Sequence, residues 1–296
     1  MEFSLILDLP PYAFALFAAF MFAVGSQFQA IGLTTIDSRN GTAIGIATSA
    51  ICFWLAAPWF LNQDYFFNAA ILFFIGIGLI RPALSANLAT AGIRYLGPTL
   101  SGTLSSTAPF FGVALGVFWL GEQLTWATAF GTVGIVAAVI ILSQSMTQIA
   151  GGWPVWALAL PIGAAAIRSL AHAVNKVGME AVPDPYFATL IGFTTSALVT
   201  IFVQSTHGEF GKGLNLRGPG PVWFMIGAIM FALAVLSLNH ALMIGRVVTV
   251  SPIIAATPLF TLLLSIYIFR RERITARTLI ALALVTPSVI VVVLWG

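Results

Sequence analysis

Apolar segments of about 20 residues follow one another almost from end to end of the chain, separated by short polar connections. A helix needs about 20 apolar residues to cross the roughly 30 Å hydrocarbon core of a bilayer. Charged residues make up only 7% of the chain, against about 25% in soluble domains. A water-soluble protein of this length could not cover its surface with so few charges. The sequence therefore predicts an all-α polytopic membrane protein.

Ten such segments can be placed along the 296 residues. The breaks at Asn40-Gly41 and at Pro183-Asp184-Pro185 fall at matching places in the two halves, and these residue types favour turns. The predicted spans cover residues 12–34, 42–61, 68–91, 97–119, 125–145, 153–177, 185–205, 220–243, 249–269 and 275–295.

A passage in the first half of the chain recurs in the second half. The motif Leu84-Ser85-x-Asn87-x-Ala89 returns 152 residues later as Leu236-Ser237-x-Asn239-x-Ala241. Further on, Glu122-x-Leu124-Thr125 is matched by Glu272-x-Ile274-Thr275, now 150 residues later. A repeat at half the chain length indicates two copies of one structural unit. We expect a first five-helix repeat over residues 1–148 and a second over residues 149–296.

The number of spans in each repeat fixes how the two copies insert. Because five is odd, the second copy enters the membrane in the opposite direction to the first. Inverted repeats of this kind are typical of secondary transporters, which bind substrate where the repeats meet. The sequence thus predicts ten transmembrane helices, built as two inverted five-helix repeats around a central cavity.

The stretch APFFGVALGVFWLGEQLTWATAFGTVGIVAAVIIL, residues 108–142, resembles the fourth and fifth helices of the EamA-type half of the drug/metabolite transporter superfamily. Its proline within an apolar helix, its Gly-Glu-x-Leu-Thr connection and the glycine pair Gly131 and Gly134 carry the resemblance. The second copy keeps the proline, the glutamate and the threonine, but has Arg270-Arg271 where the family usually has Leu-Gly. The resemblance implies export of small metabolites, and YddG-type amino-acid exporters are the branch that we consider nearest.

Loop charges and this resemblance disagree about orientation. If the N-terminus lies in the cytoplasm, the cytoplasmic connections hold only Lys176 and Arg246. The opposite side then holds eight basic residues: Arg39, Arg94, Lys212, Arg217, Arg270, Arg271, Arg273 and Arg277. The positive-inside rule favours both termini outside, whereas the resemblance implies both termini in the cytoplasm. The segment before the first span lacks a basic start, so we expect no cleavable signal peptide.

The sequence offers no motif for catalysis. It has no nucleophile elbow, phosphate-binding loop, HExxH or Cys/His cluster, so we predict no enzyme activity, no cofactor and no metal, and no nucleic-acid partner. All nine acidic residues fall in loops or at helix ends. A carrier of lipophilic cations would need an intramembrane carboxylate as counter-charge. A neutral, zwitterionic or anionic substrate fits better.

Two arginines lie at the depth of the bilayer centre, Arg81 in the third span and Arg168 in the sixth. An arginine there costs at least about 2.5–3.5 kcal/mol, so each is expected to face protein or a wet cavity. One interpretation is a guanidinium fork that binds a substrate carboxylate. The alternative is a clamp on backbone carbonyls that a proline such as Pro82 leaves without a partner.

A polar stripe on the sixth span extends this candidate site. Arg168, His172 and Asn175 are spaced i, i+4, i+7 and share one helical face. The first span, its counterpart in the repeat, offers Gln27 and Gln29. His172 either titrates as a proton-linked group or is simply hydrogen-bonded between helices.

The repeated Ser-x-Asn motif contributes the remaining candidates. Serine and asparagine two residues apart lie about 200° apart around a helix, so both cannot face one cavity. Ser85 shares a face with Arg81 and is assigned to the cavity, and its repeat counterpart Ser237 joins it. His240 has the same two interpretations as the histidine of the sixth span. The predicted substrate-binding residues are thus Arg168, His172, Asn175, Arg81, Ser85, Gln27, Ser237 and His240.

We therefore predict a secondary transporter that exports amino acids, aromatic ones among them, or similar small zwitterionic metabolites by alternating access. A phosphorylated-sugar or nucleotide-sugar carrier of the same fold is the alternative, and a channel is a further one. The expected partners are a small-molecule substrate and the lipid bilayer, with one chain as a complete carrier. The expected location is the inner (cytoplasmic) membrane of a bacterium.

Overall fold

A computed structural model describes residues 9–85, 88, 91–92, 95–96, 101, 104–143, 154–206, 218–269 and 276–296. Within these residues all regular structure is helical, with no strand. The helices are α1 Pro11–Gly32, α2 Ser38–Phe60, α3 Ile71–Ile80, α4 Ala108–Phe118, α5 Trp126–Ser143, α6 Ala159–Ala181, α7 Pro185–Thr206, α8 Gly220–Ile244, α9 Val247–Ala255, α10 Thr257–Tyr267 and α11 Ala276–Trp295. A π-helical turn, Arg81–Ser85, comes directly after α3, and short 3₁₀ turns, Gln63–Phe67 and Val155–Leu158, lie before α3 and α6.

The helices have the length and composition of membrane spans. Six of the described helical segments are long and apolar enough to cross a membrane, and four shorter apolar helices accompany them. Their large apolar side chains face outward at many positions, such as Leu55, Trp59 and Phe118. The fold class predicted from the sequence is confirmed: the chain is a multi-pass membrane protein with a ten-helix, two-repeat architecture.

The second helix of each repeat begins in the same way. Asp37 caps α2, and its carboxylate accepts the Asn40 backbone N–H at 2.9 Å. Asp184 caps α7 and accepts the N–H groups of Tyr186 and Phe187 at 2.8 and 3.0 Å. A side-chain acceptor at a helix start satisfies amides that have no partner within the helix. The two breaks in the sequence are therefore matching helix starts.

The matched prolines of the fourth and ninth spans each start a new helix. Pro109 lies in the first turn of α4, and Pro258 in the first turn of α10, directly after α9 ends. Proline is harmless in the first turn of a helix, because its missing N–H would have no partner there. The ninth span is therefore two short helices joined at Ala256.

The two repeats are interleaved rather than side by side. Among the described helices, α1 of the first repeat packs most extensively on α8 of the second. Glycines allow this approach: a Cβ on Gly25 would lie 3.0 Å from the Gly227 carbonyl oxygen, and a Cβ on Gly32 would lie 3.0 Å from the Gly220 carbonyl oxygen. Small residues at such contacts let helix backbones come close in a membrane.

Six helices surround the centre of the bundle, three from each repeat. They are α1, α2 and α3 of the first and α6, α7 and α8 of the second. The other helices pack outside this ring: α5 lies along α11, and α4 lies against α6 and α9.

Candidate functional site

A central cavity of about 420 Å³ lies between the two repeats. All six inner helices contribute to its wall. Among the described residues, the polar side chains that line it are Gln29, Thr42, Ser49, Arg81, Ser85, Arg168, Asn175, Thr189, Ser196 and Asn239. This is the location that an inverted-repeat carrier gives to its substrate site.

The charged side chains among the described lining residues are two arginines. Arg81 faces the cavity from the π-helical turn after α3 and Arg168 from α6, and no acidic side chain is among the described residues that line it. The Nη2 atom of Arg168 lies 3.4 Å from the Ser105 carbonyl oxygen, a long contact. A guanidinium carries five N–H donors, and this contact involves only one of those of Arg168. The cavity therefore presents positive charge to whatever enters it.

A π-helical turn positions Arg81. The turn Arg81–Ser85 places both of its end residues on the cavity wall. The Ser85 hydroxyl donates to the Ala164 carbonyl oxygen at 3.3 Å, which ties the turn to α6. Single π-helical turns occur frequently at functional sites.

A chain of hydrogen bonds joins α6, α8 and α7 at one end of the cavity. Asn175 donates to Asn239 at 3.0 Å, and Asn239 donates to the Thr189 hydroxyl at 2.9 Å. Thr189 in turn donates to the Pro185 carbonyl oxygen at 2.6 Å. All three side chains are at most 4% exposed. The three helices are thus held together at this end.

The lining repeats itself between α2 and α7. Thr42, Gly45 and Ser49 line the cavity from α2, and 147 residues later Thr189, Gly192 and Ser196 line it from α7. The two serines make equivalent bonds across the repeats. Ser49 donates to the Ala228 carbonyl oxygen and Ser196 to the Gly78 carbonyl oxygen, both at 3.2 Å.

Equivalent residues at the two ends of the cavity differ in exposure. Thr42 is exposed, whereas its counterpart Thr189 is 1% exposed. Gln29 is half-buried, whereas its counterpart Asn175 is 4% exposed. We call the end with Thr42 and Gln29 the open end and the end with Thr189 and Asn175 the closed end.

Aromatic and aliphatic side chains form the rest of the wall. The rings of Phe22 and Phe231 lie 5.5 Å apart, and both line the cavity together with Phe193. The sequence aligns Phe22 with Arg168, 146 residues apart. One repeat thus supplies an aromatic ring where the other supplies a cation.

Four of the eight residues predicted from the sequence lie on the cavity wall: Arg81, Ser85, Arg168 and Asn175. Gln27 and Ser237 lie outside this lining, and their predicted role in substrate binding stays a prediction. Gln27 is buried and donates to the Thr261 carbonyl oxygen at 2.9 Å, which ties α1 to α10. Ser237 donates to the Phe14 carbonyl oxygen at 2.8 Å, which ties α8 to α1.

The two histidines also lie outside the lining. His172 is buried within the bundle, and its Nδ1 atom has no hydrogen-bond partner among the described residues. The His240 ring packs against Phe14 with centroids 4.3 Å apart. In the polar stripe of α6, Arg168 and Asn175 thus line the cavity, whereas His172 lies outside the lining.

Residues outside the predicted set of eight complete the wall. Gln29 and Asn239 stand two residues beyond Gln27 and Ser237 and face the cavity in their place. The hydroxyl pairs on α2 and α7 could have been found from their constant spacing of 147 residues. The described residues contain no group of three or more His, Cys, Asp or Glu side chains that could hold a metal ion.

The EamA-like transporter family matches the chain twice, over residues 9–144 and 155–294. No curated protein matches the sequence. One solved structure, described only as "Crystal structure of protein", is 15% identical and superposes with a TM-score of 0.79 over 95% of each chain, a likeness of fold alone. The family matches cover nearly all of the sequence. The chain therefore belongs to the EamA-like transporter family, in the drug/metabolite transporter superfamily, whose members are transporters and not enzymes.

Proposed function

We propose that this transporter exports amino acids, aromatic ones among them, or similar small zwitterionic metabolites by alternating access. The observation that carries the proposal is the lining of the cavity, which combines two arginines with an aromatic wall and contains no acid among its described residues. We also propose that it belongs to the YddG-like branch of the family and works in the inner membrane of a bacterium.

Carboxylate recognition follows from the arginines. A guanidinium binds a carboxylate through two parallel N–H···O bonds, which fix its orientation as well as its position. Arg168 and Arg81 both face the cavity, so a carboxylate can be held by one and attracted by the other. The hydroxyl and amide oxygens of the lining offer acceptors for an ammonium group. A zwitterion thus finds partners for both of its charges.

The apolar wall suits the rest of the substrate. Phe22, Phe231 and Phe193 present rings to the cavity. Aromatic side chains of a substrate gain about 0.5–1.5 kcal/mol from such ring contacts beyond the burial of area. A cavity of about 420 Å³ is within the range of sites for small molecules.

Alternating access is supported by the different exposure of equivalent residues at the two ends of the cavity. The closed end and the open end are built from equivalent residues of inverted repeats, with Thr189 buried and Thr42 exposed. If the repeats exchange conformations, the open end closes and the closed end opens. Exchange of this kind around a fixed site is the mechanism expected of inverted-repeat carriers.

Counterflow in proteoliposomes tests the proposal. Liposomes are loaded with an unlabelled amino acid, and uptake of the labelled compound is followed across a panel of amino acids and sugar phosphates. We expect counterflow with apolar and aromatic amino acids, and little with their amides, which lack the carboxylate. Exchange of sugar phosphates without exchange of any amino acid would replace the proposal by the phosphorylated-sugar alternative.

A further inference from the structure

A buried ion pair lies just beyond the closed end of the cavity. The Lys176 ammonium is 2.9 Å from Oε1 of Glu122, and their side chains are 16% and 7% exposed. Lys176 directly follows Asn175, one of the buried residues of the closed end. Lys176 also donates to the Gly245 carbonyl oxygen, at the turn between α8 and α9. The pair plays no part in the cavity described above.

The Glu122 carboxylate also caps α9. Its Oε1 and Oε2 atoms accept the backbone N–H groups of Val247 and Val248 at 2.8 and 2.9 Å. These are the first two amides of the helix, which have no partner inside it, and a helix start favours negative charge. Glycine at position 116 makes room, since a Cβ there would lie 2.8 Å from Oε2 of Glu122.

This cluster joins parts that belong to different repeats. Glu122 lies in the connection between α4 and α5 of the first repeat, whereas Lys176 and the start of α9 belong to the second. The cluster thus connects the end of α6 and the α8–α9 turn to the first repeat. An opening of the closed end that moves these helix ends away from the α4–α5 connection would break the cluster.

The first repeat has no cationic residue at the position that corresponds to Lys176. Gln29 corresponds to Asn175 at a spacing of 146 residues, and the residue that corresponds to Lys176 is Ala30. An alanine cannot make an ion pair. Position 30 therefore supplies no counterpart of the Lys176 ammonium, and Glu272, the repeat counterpart of Glu122, lies outside the described residues.

We propose that the Glu122–Lys176 ion pair is a latch that holds the closed end shut and biases the resting transporter toward the conformation with the open end accessible. A contact made in only one of two conformations shifts the equilibrium toward that conformation by its own differential free energy. The inference rests on the alternating access proposed above. Loss of the latch should therefore expose the closed end and close the open end.

Cysteine labelling tests the latch without any substrate. In a background in which the single cysteine, Cys52, is replaced by serine, Ala188→Cys reports on the closed end, since Ala188 lines the cavity and is 3% exposed. Thr42→Cys reports on the open end. Each reporter protein is reconstituted into liposomes with and without Lys176→Met, and a small charged methanethiosulfonate is added to label the cysteine. Lys176→Arg is the matched control, because it keeps the positive charge.

With Lys176→Met we expect the labelling rate at residue 188 to rise about tenfold, the change that loss of about 1.4 kcal/mol of differential stabilisation produces, and the rate at residue 42 to fall. Lys176→Arg should label like the parent. Unchanged rates in a folded Lys176→Met protein would overturn the latch. If that variant does not fold, Lys176→Gln is assessed by the same criteria. Failure of amino-acid counterflow would refute the substrate class and leave the labelling result unaffected.

Discussion

Replacement of Arg168 separates a substrate-binding role from a structural one. In the structure the guanidinium faces the cavity, and its Nη2 atom lies 3.4 Å from the Ser105 carbonyl oxygen, a long contact. A hydrogen bond to a charged group contributes about 1.5–3 kcal/mol, and its loss corresponds to a decrease in affinity of about 10- to 150-fold. We expect Arg168→Ala to weaken amino-acid binding by that factor.

Lysine at the same position should give an intermediate result. Arg168→Lys keeps the positive charge but loses the planar fork that matches a carboxylate. The backbone contact is too long to contribute much to stability, so both variants should melt within a few degrees of the parent in detergent. Arg246→Ala is the matched control: that arginine donates to the Gly296 carbonyl oxygen at 2.7 Å, away from the cavity.

The assay compares a free amino acid with its amide as competitors of labelled uptake into proteoliposomes. Only the free acid carries the carboxylate. Substitution of Arg168 should therefore weaken competition by the free acid far more than competition by the amide. Equal losses for acid and amide, together with a lowered melting temperature, would refute the binding role. Arg168 would then be a brace for the helix backbone near Ser105.

Three further predictions concern packing, selectivity and assembly. Gly25→Ala should lower the melting temperature, because a Cβ would lie 2.7 Å from the Phe231 ring and overpacking costs about 1–3 kcal/mol. Gly76→Ala, whose Cβ meets no atom within 4 Å, is the control, and equal melting of the two variants would contradict the packing argument. Lipophilic cations should be poor substrates, because the described lining offers no carboxylate; efficient ethidium efflux from proteoliposomes would show the opposite. One chain should transport by itself, since both repeats build one cavity; light scattering combined with transport by isolated monomers checks this, and an obligate dimer would count against it.

The architecture was accessible from the sequence because apolar length and a long-range repeat are strong signals. The ten spans, the inversion of the repeats and the central cavity all follow from them. Arg168 was assigned to the site from its depth in the sixth span, and Asn175 from its helical spacing to Arg168; both line the cavity. The division at residues 148 and 149 stays a prediction.

The difference between the predicted set of residues and the cavity lining comes from helix phase. In α3 and the π-helical turn after it, the cavity face passes through Arg81 and Ser85, whereas in α8 it passes through Val235 and Asn239. The same Ser-x-Asn motif thus presents its serine in one repeat and its asparagine in the other. A π-helical turn adds a residue to one turn and rotates the helix beyond it, and it occurs at Arg81–Ser85 while α8 is regular. Pro82 indicates a local break in the α-helical hydrogen bonds, but it does not by itself indicate a π-helical turn.

The glycine contact between α1 and α8 also sets the order of events during synthesis. Pro11 begins α1, and its main partner begins about 200 residues later, at Gly220. At about 5–20 residues per second, the ribosome needs on the order of 10–40 s to bridge that interval. Through this time the small-residue face of α1 has lipid or the insertion machinery as its neighbour. A nascent chain that stops before α8 therefore leaves that face of α1 without the partner that it has in the finished structure.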